Sequence, residues 1–191
     1  GGDFPVMAGR GCPFDCSYCC NHLLKAVQPG RYVRMRSAGR VLEEIARGRD
    51  AQTVRRVIFE DDTFTLQKEW LRGFLPRYRQ EIGLPFVANA RVGLLDRDTA
   101  RALEDAGCDY VSIGVECGND TLRREVLGRD MTNDAIRETF AITKEAGLAT
   151  YAFYMIGFPG ETLAMARETL ALHEELQPEA GFQISVVYPY P

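Results

Sequence analysis

Short apolar segments alternate along this chain with longer segments whose apolar residues recur every three or four positions. The short segments are rich in β-branched and aromatic residues, a pattern that predicts buried strands. They lie at residues 5–8, 54–59, 85–90, 110–115, 149–156 and 182–188. The longer segments predict five amphipathic helices between these strands. Their apolar faces include Leu42, Phe74, Leu103, Phe140 and Leu170.

Three predicted helices end in the same way, with a glycine placed between the helix and the next strand. These glycines are Gly83, Gly107 and Gly147, and glycine can adopt the positive φ that ends a helix. Strands and helices that alternate imply parallel βα units joined by right-handed crossovers. Eight units would close a complete barrel. Six therefore predict an α/β fold that is an open, partial (β/α)6 barrel with parallel strands.

Composition and charge narrow the class of protein. A length of 191 residues fits one domain with a substantial core, and 46% apolar and 26% charged residues are ordinary for a soluble protein. A net charge of −4 argues against a nucleic-acid partner. No apolar segment is long enough to predict a membrane span or a signal peptide. Four of the six cysteines fall within residues 12–20, which indicates a reducing, cytoplasmic location.

The cysteine-rich stretch carries the clearest chemistry. Cys12, Cys16 and Cys19 follow the spacing C-x3-C-x2-C, which can direct three thiolates at three corners of a 4Fe–4S cluster. The fourth iron would stay open for a chelating ligand, whereas four cysteines would fill every corner. We expect Cys20 to be a neighbour, because its bond to Cys19 restricts its reach. A structural zinc site with Cys20 or His22 as fourth ligand is the alternative, although no distant second pair of ligands follows.

With Tyr18 as its aromatic residue, the cysteine stretch resembles the signature of the radical S-adenosylmethionine (radical SAM) enzymes. The resemblance covers nearly the whole chain, since that family has a partial barrel of six units. It implies that the open iron chelates the amino and carboxylate groups of S-adenosylmethionine. It also implies reductive cleavage of that cofactor to a 5′-deoxyadenosyl radical.

Further candidate residues follow the predicted strands, where βα barrels place their chemistry. These residues are Asp61, Asp62, Arg91, Glu116, Gly157 and Tyr188. Asp61 and Asp62 take the place of the Gly-Gly-Glu segment that, in the family, holds the amino group of S-adenosylmethionine. A solvated acidic turn is the alternative for this pair. The loop at Gly157 would let backbone approach a ligand closely.

The resemblance also assigns roles to Glu116, Arg129 and Tyr18. Glu116 matches a position that reaches the ribose hydroxyl groups, and a structural salt bridge is its alternative. Arg129 resembles an arginine of the anaerobic coproporphyrinogen oxidases that pairs with the S-adenosylmethionine carboxylate, a pairing that suits guanidinium. An exposed arginine is the alternative there. Tyr18 is expected to lie against the adenine, and simple packing beside the cysteines is its alternative.

Several short sequence segments resemble segments of the cobalamin-associated branch of the family. They occupy residues 36–37, 59–65, 114–118, 157–162 and 188–191. This implies that residues 1–191 are the core domain of a longer protein, with a cobalamin-binding domain upstream and a further segment downstream. No D-x-H-x-x-G cobalamin motif occurs, so cobalamin is expected to bind mainly outside this chain.

The expected function is cobalamin-dependent methylation or ring formation on an unactivated centre of a small-molecule substrate. An external electron donor such as flavodoxin or ferredoxin is the expected partner. Three alternatives stay open: a tRNA methylthiotransferase-type radical SAM domain, a non-catalytic iron–sulfur carrier, and a zinc-binding module.

Overall fold

A computed structural model describes residues 2–188, and six of its eight strands form one sheet. The strands are β1 (Asp3–Val6), β2 (Gly9–Arg10), β3 (Arg34–Met35), β4 (Arg56–Phe59), β5 (Phe86–Ala90), β6 (Cys108–Glu116), β7 (Ala149–Ile156) and β8 (Gly181–Val186). The helices are α1 (Asn21–Val27), α2 (Ala38–Ala51), α3 (Lys68–Glu81), α4 (Arg97–Asp105), α5 (Asp120–Glu125), α6 (Asn133–Glu145) and α7 (Leu163–Leu176), with a 3-10 helix at Phe64–Leu66. Within residues 2–188 no helix has both the length and the apolar character needed to cross a membrane.

The main sheet is parallel throughout, in the order β1-β4-β5-β6-β7-β8. It curls into a half-barrel covered by helices, with β1 and β8 at its two open edges. The predicted partial (β/α)6 barrel is therefore confirmed. Helices α1 and α5 and the antiparallel pair β2–β3 were not predicted, because seven residues or fewer are too short to show a periodic apolar pattern.

Two predicted N-caps and three predicted helix-ending glycines are observed in the structure. The Asp96 carboxylate accepts a hydrogen bond from Thr99 N at 2.8 Å, and the Thr132 hydroxyl accepts one from Ala135 N at 3.2 Å. Both contacts are N-caps that satisfy free backbone donors in the first helical turn. The glycines at the three predicted helix ends all have positive φ, at Gly83, Gly107 and Gly147.

An aromatic core joins α3 to β4 and β5. Phe59 stacks on Phe64 at 4.4 Å between ring centroids and meets Phe86 edge-on at 5.4 Å. Phe74 and Tyr78 of α3 are fully buried against these rings. The interpretation of the α3 aromatics as core residues is thus confirmed, and this packing holds the strand ends in place.

The predicted apolar face of α7, formed by Leu163, Ala166, Leu170 and His173, was wrong for its two leucines, whereas Ala166 and His173 are half-buried. Leu163 and Leu170 are 69% and 56% exposed, whereas Thr169 and Leu172 are buried. The Thr169 hydroxyl accepts a hydrogen bond from Gly118 N at 2.8 Å. A Cβ atom at Gly118 would lie 2.4 Å from the carbonyl oxygen of residue 168, so glycine is needed for this close approach. The contact between these backbones, rather than the apolar spacing, sets the rotation of α7.

Candidate functional site

A cavity of about 300 Å³ opens at the carboxyl ends of the sheet strands. The three cysteines of the predicted cluster loop line it, namely Cys12, Cys16 and Cys19. Five other predicted residues line it as well: Tyr18, Asp62, Arg91, Glu116 and Arg129. The structure thus brings together eight of the eleven predicted residues, in a space at the lower end of the range for small-ligand sites.

The cysteine loop is anchored from two sides of the barrel. Asp61, directly after β4, accepts hydrogen bonds from the backbone N–H groups of Ala8 at 2.9 Å and Gly9 at 2.5 Å. On the other side, the Ser17 hydroxyl donates to the Val126 carbonyl at 2.6 Å, and Ser17 N donates to Leu127 O at 3.1 Å. These contacts hold the loop over the open ends of the strands.

Cys20 does not line the cavity that the other three cysteines of the loop share. It is exposed, stands at the start of α1 and lines a separate cavity. Its backbone carbonyl accepts hydrogen bonds from Leu23 N and Leu24 N at 3.1 Å, which fixes it in the first helical turn. That Cys20 is a neighbour and not a ligand stays a prediction.

Two kinds of metal site differ in how their cysteine ligands are arranged. Within residues 2–188, no three His, Cys, Asp or Glu side chains converge closely enough to hold one metal ion. A zinc site needs its ligand atoms about 2.0–2.3 Å from a single ion, whereas a cubane cluster takes each thiolate at a different iron.

Glu116 ends β6 in a strained backbone conformation. Its φ is +68°, in the left-handed region that residues other than glycine rarely adopt. Cys117 N donates to the Val115 carbonyl at 3.0 Å, which closes a γ-turn centred on Glu116. The register with β7 shifts between Gly114 and Glu116 at the same point. Such a conformation costs about 1–3 kcal/mol, and here it turns the carboxylate into the cavity.

Tyr18, Glu116 and Arg129 form a buried hydrogen-bonded network. Glu116 Oε1 accepts from the Tyr18 hydroxyl at 2.9 Å and from Arg129 Nη1 at 2.8 Å. Arg129 Nη1 also donates to the Tyr18 oxygen at 2.5 Å, and Nη2 donates to the Gly114 carbonyl at 2.8 Å. The Arg129 Nε–H is buried without a partner among the described residues. Glu116 is therefore in a salt bridge, as its alternative predicted, and the alternative of an exposed Arg129 is wrong.

Burial controls the protonation of this network. It raises the pKa of Tyr18 well above its ordinary range, and the Glu116 charge raises it further, so the phenol keeps its proton and donates. Burial also raises the pKa of Glu116, while the Arg129 charge opposes that rise. For Arg129, burial lowers the pKa, but Tyr18 and Glu116 outweigh it and the net direction is upward. The guanidinium stays charged.

Gly114 leaves the space that this network occupies. A Cβ atom at Gly114 would lie 2.3 Å from Glu116 Oε1 and 3.1 Å from Arg129 Nη1. The first of these distances is too short for any stable contact, so a side chain at this position would have to displace the Glu116 carboxylate. The sequence gives no sign of this requirement, because a glycine inside a strand can equally mark a bulge or a sharp bend.

Arg91, the first residue after β5, lies against the cysteine loop. Its guanidinium carbon is 3.8 Å from the centre of the Phe14 ring, and its Nη1 is 3.8 Å from Cys16 Sγ. Asp62 also faces the cavity, where its Oδ1 accepts a hydrogen bond from Asn21 Nδ2 at 3.1 Å. Both predicted residues are therefore beside the cysteines.

Asp61, Gly157 and Tyr188 do not line this cavity. Both Asp61 oxygens accept hydrogen bonds from backbone N–H groups. Burial raises the pKa of this carboxyl to about 6, although these hydrogen bonds lower it. Gly157 N donates to Glu161 Oε2 at 2.5 Å, which ties that loop to itself. Tyr188 is 84% exposed and follows the end of β8 at Val186, and residues 189–191 of the closing segment lie outside the described residues. The cofactor contacts predicted for these three residues stay predictions that their placement does not support.

The prediction missed Asn21, Thr63 and Ser112, which also line the cavity. Asn21 directly follows the cysteines and Thr63 follows Asp62, so adjacency to predicted residues was the available signal. Arg123 was missed as well. It is fully buried and donates five hydrogen bonds, which fix the connection that carries Arg129. The sequence of α5 gives no sign of this burial, because the helix is short and polar. Arginine is also almost never fully buried unless it is paired.

The chain is similar to known proteins in both sequence and fold. A family model described as the radical SAM superfamily matches residues 6–173. The chain is 30% identical over 187 residues to an uncharacterized methyltransferase of Pyrococcus horikoshii, covering 97% of this chain and 39% of the relative. It is 24% identical to the anaerobic magnesium-protoporphyrin IX monomethyl ester cyclase of Rubrivivax gelatinosus, covering 95% of this chain and 32% of the relative.

Among solved structures, the radical S-adenosylmethionine methyltransferase TsrM from Kitasatospora setae, with cobalamin and a [4Fe-4S] cluster bound, superposes with a TM-score of 0.78. The sequences are 22% identical, and the match covers 96% of this chain and 34% of that one. At this identity the match shows a shared fold. The chain spans between about a third and two fifths of the length of the relatives that it matches.

Proposed function

The chain belongs to the radical SAM superfamily, and from that premise we propose that it is the core domain of a longer radical SAM enzyme. Cys12, Cys16 and Cys19 would hold a 4Fe–4S cluster, and the adjoining cavity would bind S-adenosylmethionine. The observation that carries the proposal is that these cysteines line one cavity with Glu116 and Arg129. When bound, the two cofactors supply an electron and a source of the 5′-deoxyadenosyl radical.

The polar network provides groups that suit S-adenosylmethionine. Glu116 uses Oε1 for its contacts with Tyr18 and Arg129, so its Oε2 is available to accept from a ribose diol. Arg129 has a buried Nε–H without a partner among the described residues, and an N–H donor suits a carboxylate. Tyr18 fixes both groups by hydrogen bonds.

Cobalamin has no corresponding support within the described residues. Of the two histidines, His22 is exposed on α1, and His173 Nδ1 lies 3.2 Å from the Tyr154 hydroxyl, so neither lines the cavity. We therefore assign the corrinoid to a cobalamin-binding domain upstream of this core. The relatives are about two and a half to three times as long as the matched region, which leaves room for such a domain.

The proposed reaction class is methylation or ring formation on a small molecule, with a one-electron donor such as flavodoxin or ferredoxin. Both a methyltransferase and a cyclase are among the relatives. The identity of the substrate would be set by parts of the protein outside this core.

Anaerobic reconstitution tests the cluster. We expect about four irons and four sulfides per chain and, after reduction with dithionite, an electron paramagnetic resonance signal that changes when S-adenosylmethionine is added. A colourless protein loaded with zinc would support the zinc module instead. A cluster whose signal ignores S-adenosylmethionine would support the non-catalytic iron–sulfur carrier.

Titration of the loaded protein with S-adenosylmethionine tests the ligand groups. We expect Glu116→Gln and Arg129→Ala each to lose at least tenfold in affinity, because a hydrogen bond to a charged group contributes about 1.5–3 kcal/mol. Glu125→Gln and Arg124→Ala are matched controls, since these side chains are about 60% exposed on α5. Unchanged affinity in Glu116→Gln or Arg129→Ala would return that residue to a structural role.

Cobalamin retention tests the domain assignment. The full-length protein should retain corrinoid through gel filtration, whereas residues 1–191 alone should bind hydroxocobalamin weakly. A full-length protein that retains no corrinoid and works without it would leave only the radical SAM assignment.

A further inference from the structure

Two of the three proposed cluster cysteines each lie beside a side-chain N–H donor from another element. Asn21 Nδ2 is 3.4 Å from Cys19 Sγ, and Arg91 Nη1 is 3.8 Å from Cys16 Sγ. We propose that Arg91 and Asn21 set the reduction potential of the cluster by donating to these two sulfurs. The proposal rests on the proposed function, since it requires a cluster on these cysteines.

Arg91 is held in place on the cysteine side of the cavity. It follows Ala90, a buried residue at the end of β5, so its backbone is fixed by the sheet. Its guanidinium lies over the Phe14 ring at 3.8 Å, an arrangement that attracts the cation to the ring face. Phe14 itself belongs to the cysteine loop, between Cys12 and Cys16. The positive charge is therefore kept beside the loop.

Asn21 has only one orientation that satisfies its neighbours. It is 7% exposed. Its Oδ1 accepts a hydrogen bond from the Tyr32 hydroxyl, and its Nδ2 donates to Asp62 Oδ1 at 3.1 Å. An ionised carboxylate can only accept, so the amide nitrogen must face Asp62. The second hydrogen of that nitrogen is then directed at Cys19.

Among the described residues, Cys12 has no side-chain N–H donor beside its sulfur. Thr63 Oγ1 is 3.9 Å from Cys12 Sγ, a contact in which either atom can donate, and the same hydroxyl also lies 2.8 Å from the Asp62 carbonyl. Within the part of the chain that the structure describes, only Cys16 and Cys19 of the three therefore have a side-chain N–H donor.

The direction of the effect follows from charge. One-electron reduction adds a negative charge to the cluster, and the electron comes from the external donor or, in the experiment, from dithionite. A positive guanidinium and an N–H donor both stabilise the more negative state, and hydrogen bonds to the sulfurs and net charge are among the properties that set such potentials. Loss of either donor should make the potential more negative and the cluster harder to reduce.

The test is a dye-mediated redox titration of the anaerobically reconstituted protein, followed by electron paramagnetic resonance. Arg91→Gln removes the charge but keeps an N–H donor, and Arg91→Lys keeps the charge but loses the planar fork. Asn21→Leu removes the amide at similar volume. We expect Arg91→Gln to reduce the equilibrium constant for reduction at least tenfold, which is about 59 mV for one electron. Arg91→Lys should fall between it and the wild type, and Asn21→Leu should shift in the same direction. Arg124→Gln, at a side chain that is 60% exposed on α5, should not shift.

Iron and sulfide contents, measured for each variant, separate the possible outcomes. A wild-type protein that cannot hold four irons contradicts the proposed function itself. Full loading with an unchanged potential in Arg91→Gln and Asn21→Leu overturns the role of these two donors and leaves the proposed function intact. If Arg91→Gln loses its cluster, Arg91→Lys decides: because lysine keeps the charge, a potential equal to that of the wild type would overturn donation from the Arg91 guanidinium to Cys16.

Discussion

Substituting Gly114 with alanine should disturb the Glu116 carboxylate without removing any functional group. The new methyl carbon would lie 2.3 Å from Glu116 Oε1, so the carboxylate would have to retreat by more than about 1 Å to reach an ordinary contact distance. Its bonds to Tyr18 and Arg129, now 2.9 and 2.8 Å, would then exceed the range of a good hydrogen bond. The backbone at Gly114 has no positive φ, so the side-chain contact alone causes the change.

The expected cost has two parts. Overpacking a buried site lowers the free energy of unfolding by about 1–3 kcal/mol. Displacement of the carboxylate should also weaken S-adenosylmethionine binding at least tenfold, which corresponds to about 1.4 kcal/mol. Urea unfolding measures the first quantity, and calorimetric titration of the cluster-loaded protein measures the second.

Gly73→Ala is the matched control for this substitution. Gly73 lies in α3 and faces open space, with no neighbouring heavy atom within 4 Å of an added methyl group. Alanine there should leave affinity unchanged and raise stability by about 0.5–1 kcal/mol. If Gly114→Ala bound S-adenosylmethionine as tightly as Gly73→Ala, the position of the Glu116 carboxylate would not matter for binding. The proposed ligand contact of Glu116 would then be refuted.

Three further substitutions test the cluster ligands, the loop anchor and the buried arginine. Cys20→Ala should keep the full iron and sulfide content that Cys16→Ala loses, and loss of the cluster in Cys20→Ala would contradict the ligand assignment. The pKa of Asp61 is raised to about 6 by burial, so the folded state binds more protons than the unfolded state between about pH 4 and 6. The free energy of unfolding should therefore fall by about 3 kcal/mol as pH rises through that window, and urea unfolding of Asp61→Asn should lack this fall. Arg123→Met should destabilise the protein by about 3–5 kcal/mol because it leaves its buried partners without donors, whereas Arg124→Met, at a side chain that is 60% exposed, should change the melting temperature little.

The parallel sheet was predictable because each of its strands carries a strong local signal. β7 alternates buried and half-buried residues over nearly its whole length, and its predicted bounds are those observed. The orientation of α7 was not predictable, because it depends on the close contact between Gly118 and residues 168–169. That contact joins parts of the chain about fifty residues apart, and apolar spacing within one helix carries no information about it.

The candidate site also combines features that local sequence patterns predict with features that depend on distant contacts. The cysteine spacing and the position of Glu116 at a strand end are local patterns, and the structure places both at one cavity. The direction of the Asp61 side chain is not local, because the backbone N–H groups of Ala8 and Gly9 take both of its oxygens. Asp61 thus anchors the segment before the cysteine loop, while its neighbour Asp62 faces the cavity. Two adjacent carboxylates with different roles cannot be told apart from their sequence alone.

Tyr18 links the two halves of the proposed site. It lies in the chain between Cys16 and Cys19, and its hydroxyl group contacts both Glu116 and Arg129. Its ring also meets Phe158 edge-on at 6.2 Å, in a small apolar cluster with Leu122 and Leu127. Because Ser17 is bonded to the backbone of residues 126 and 127, the cysteine loop and the segment that leads to Arg129 are held as one unit. A displacement of the cysteine loop would therefore move the phenol away from the salt bridge, so the order of the loop and the geometry of the proposed ligand groups depend on each other.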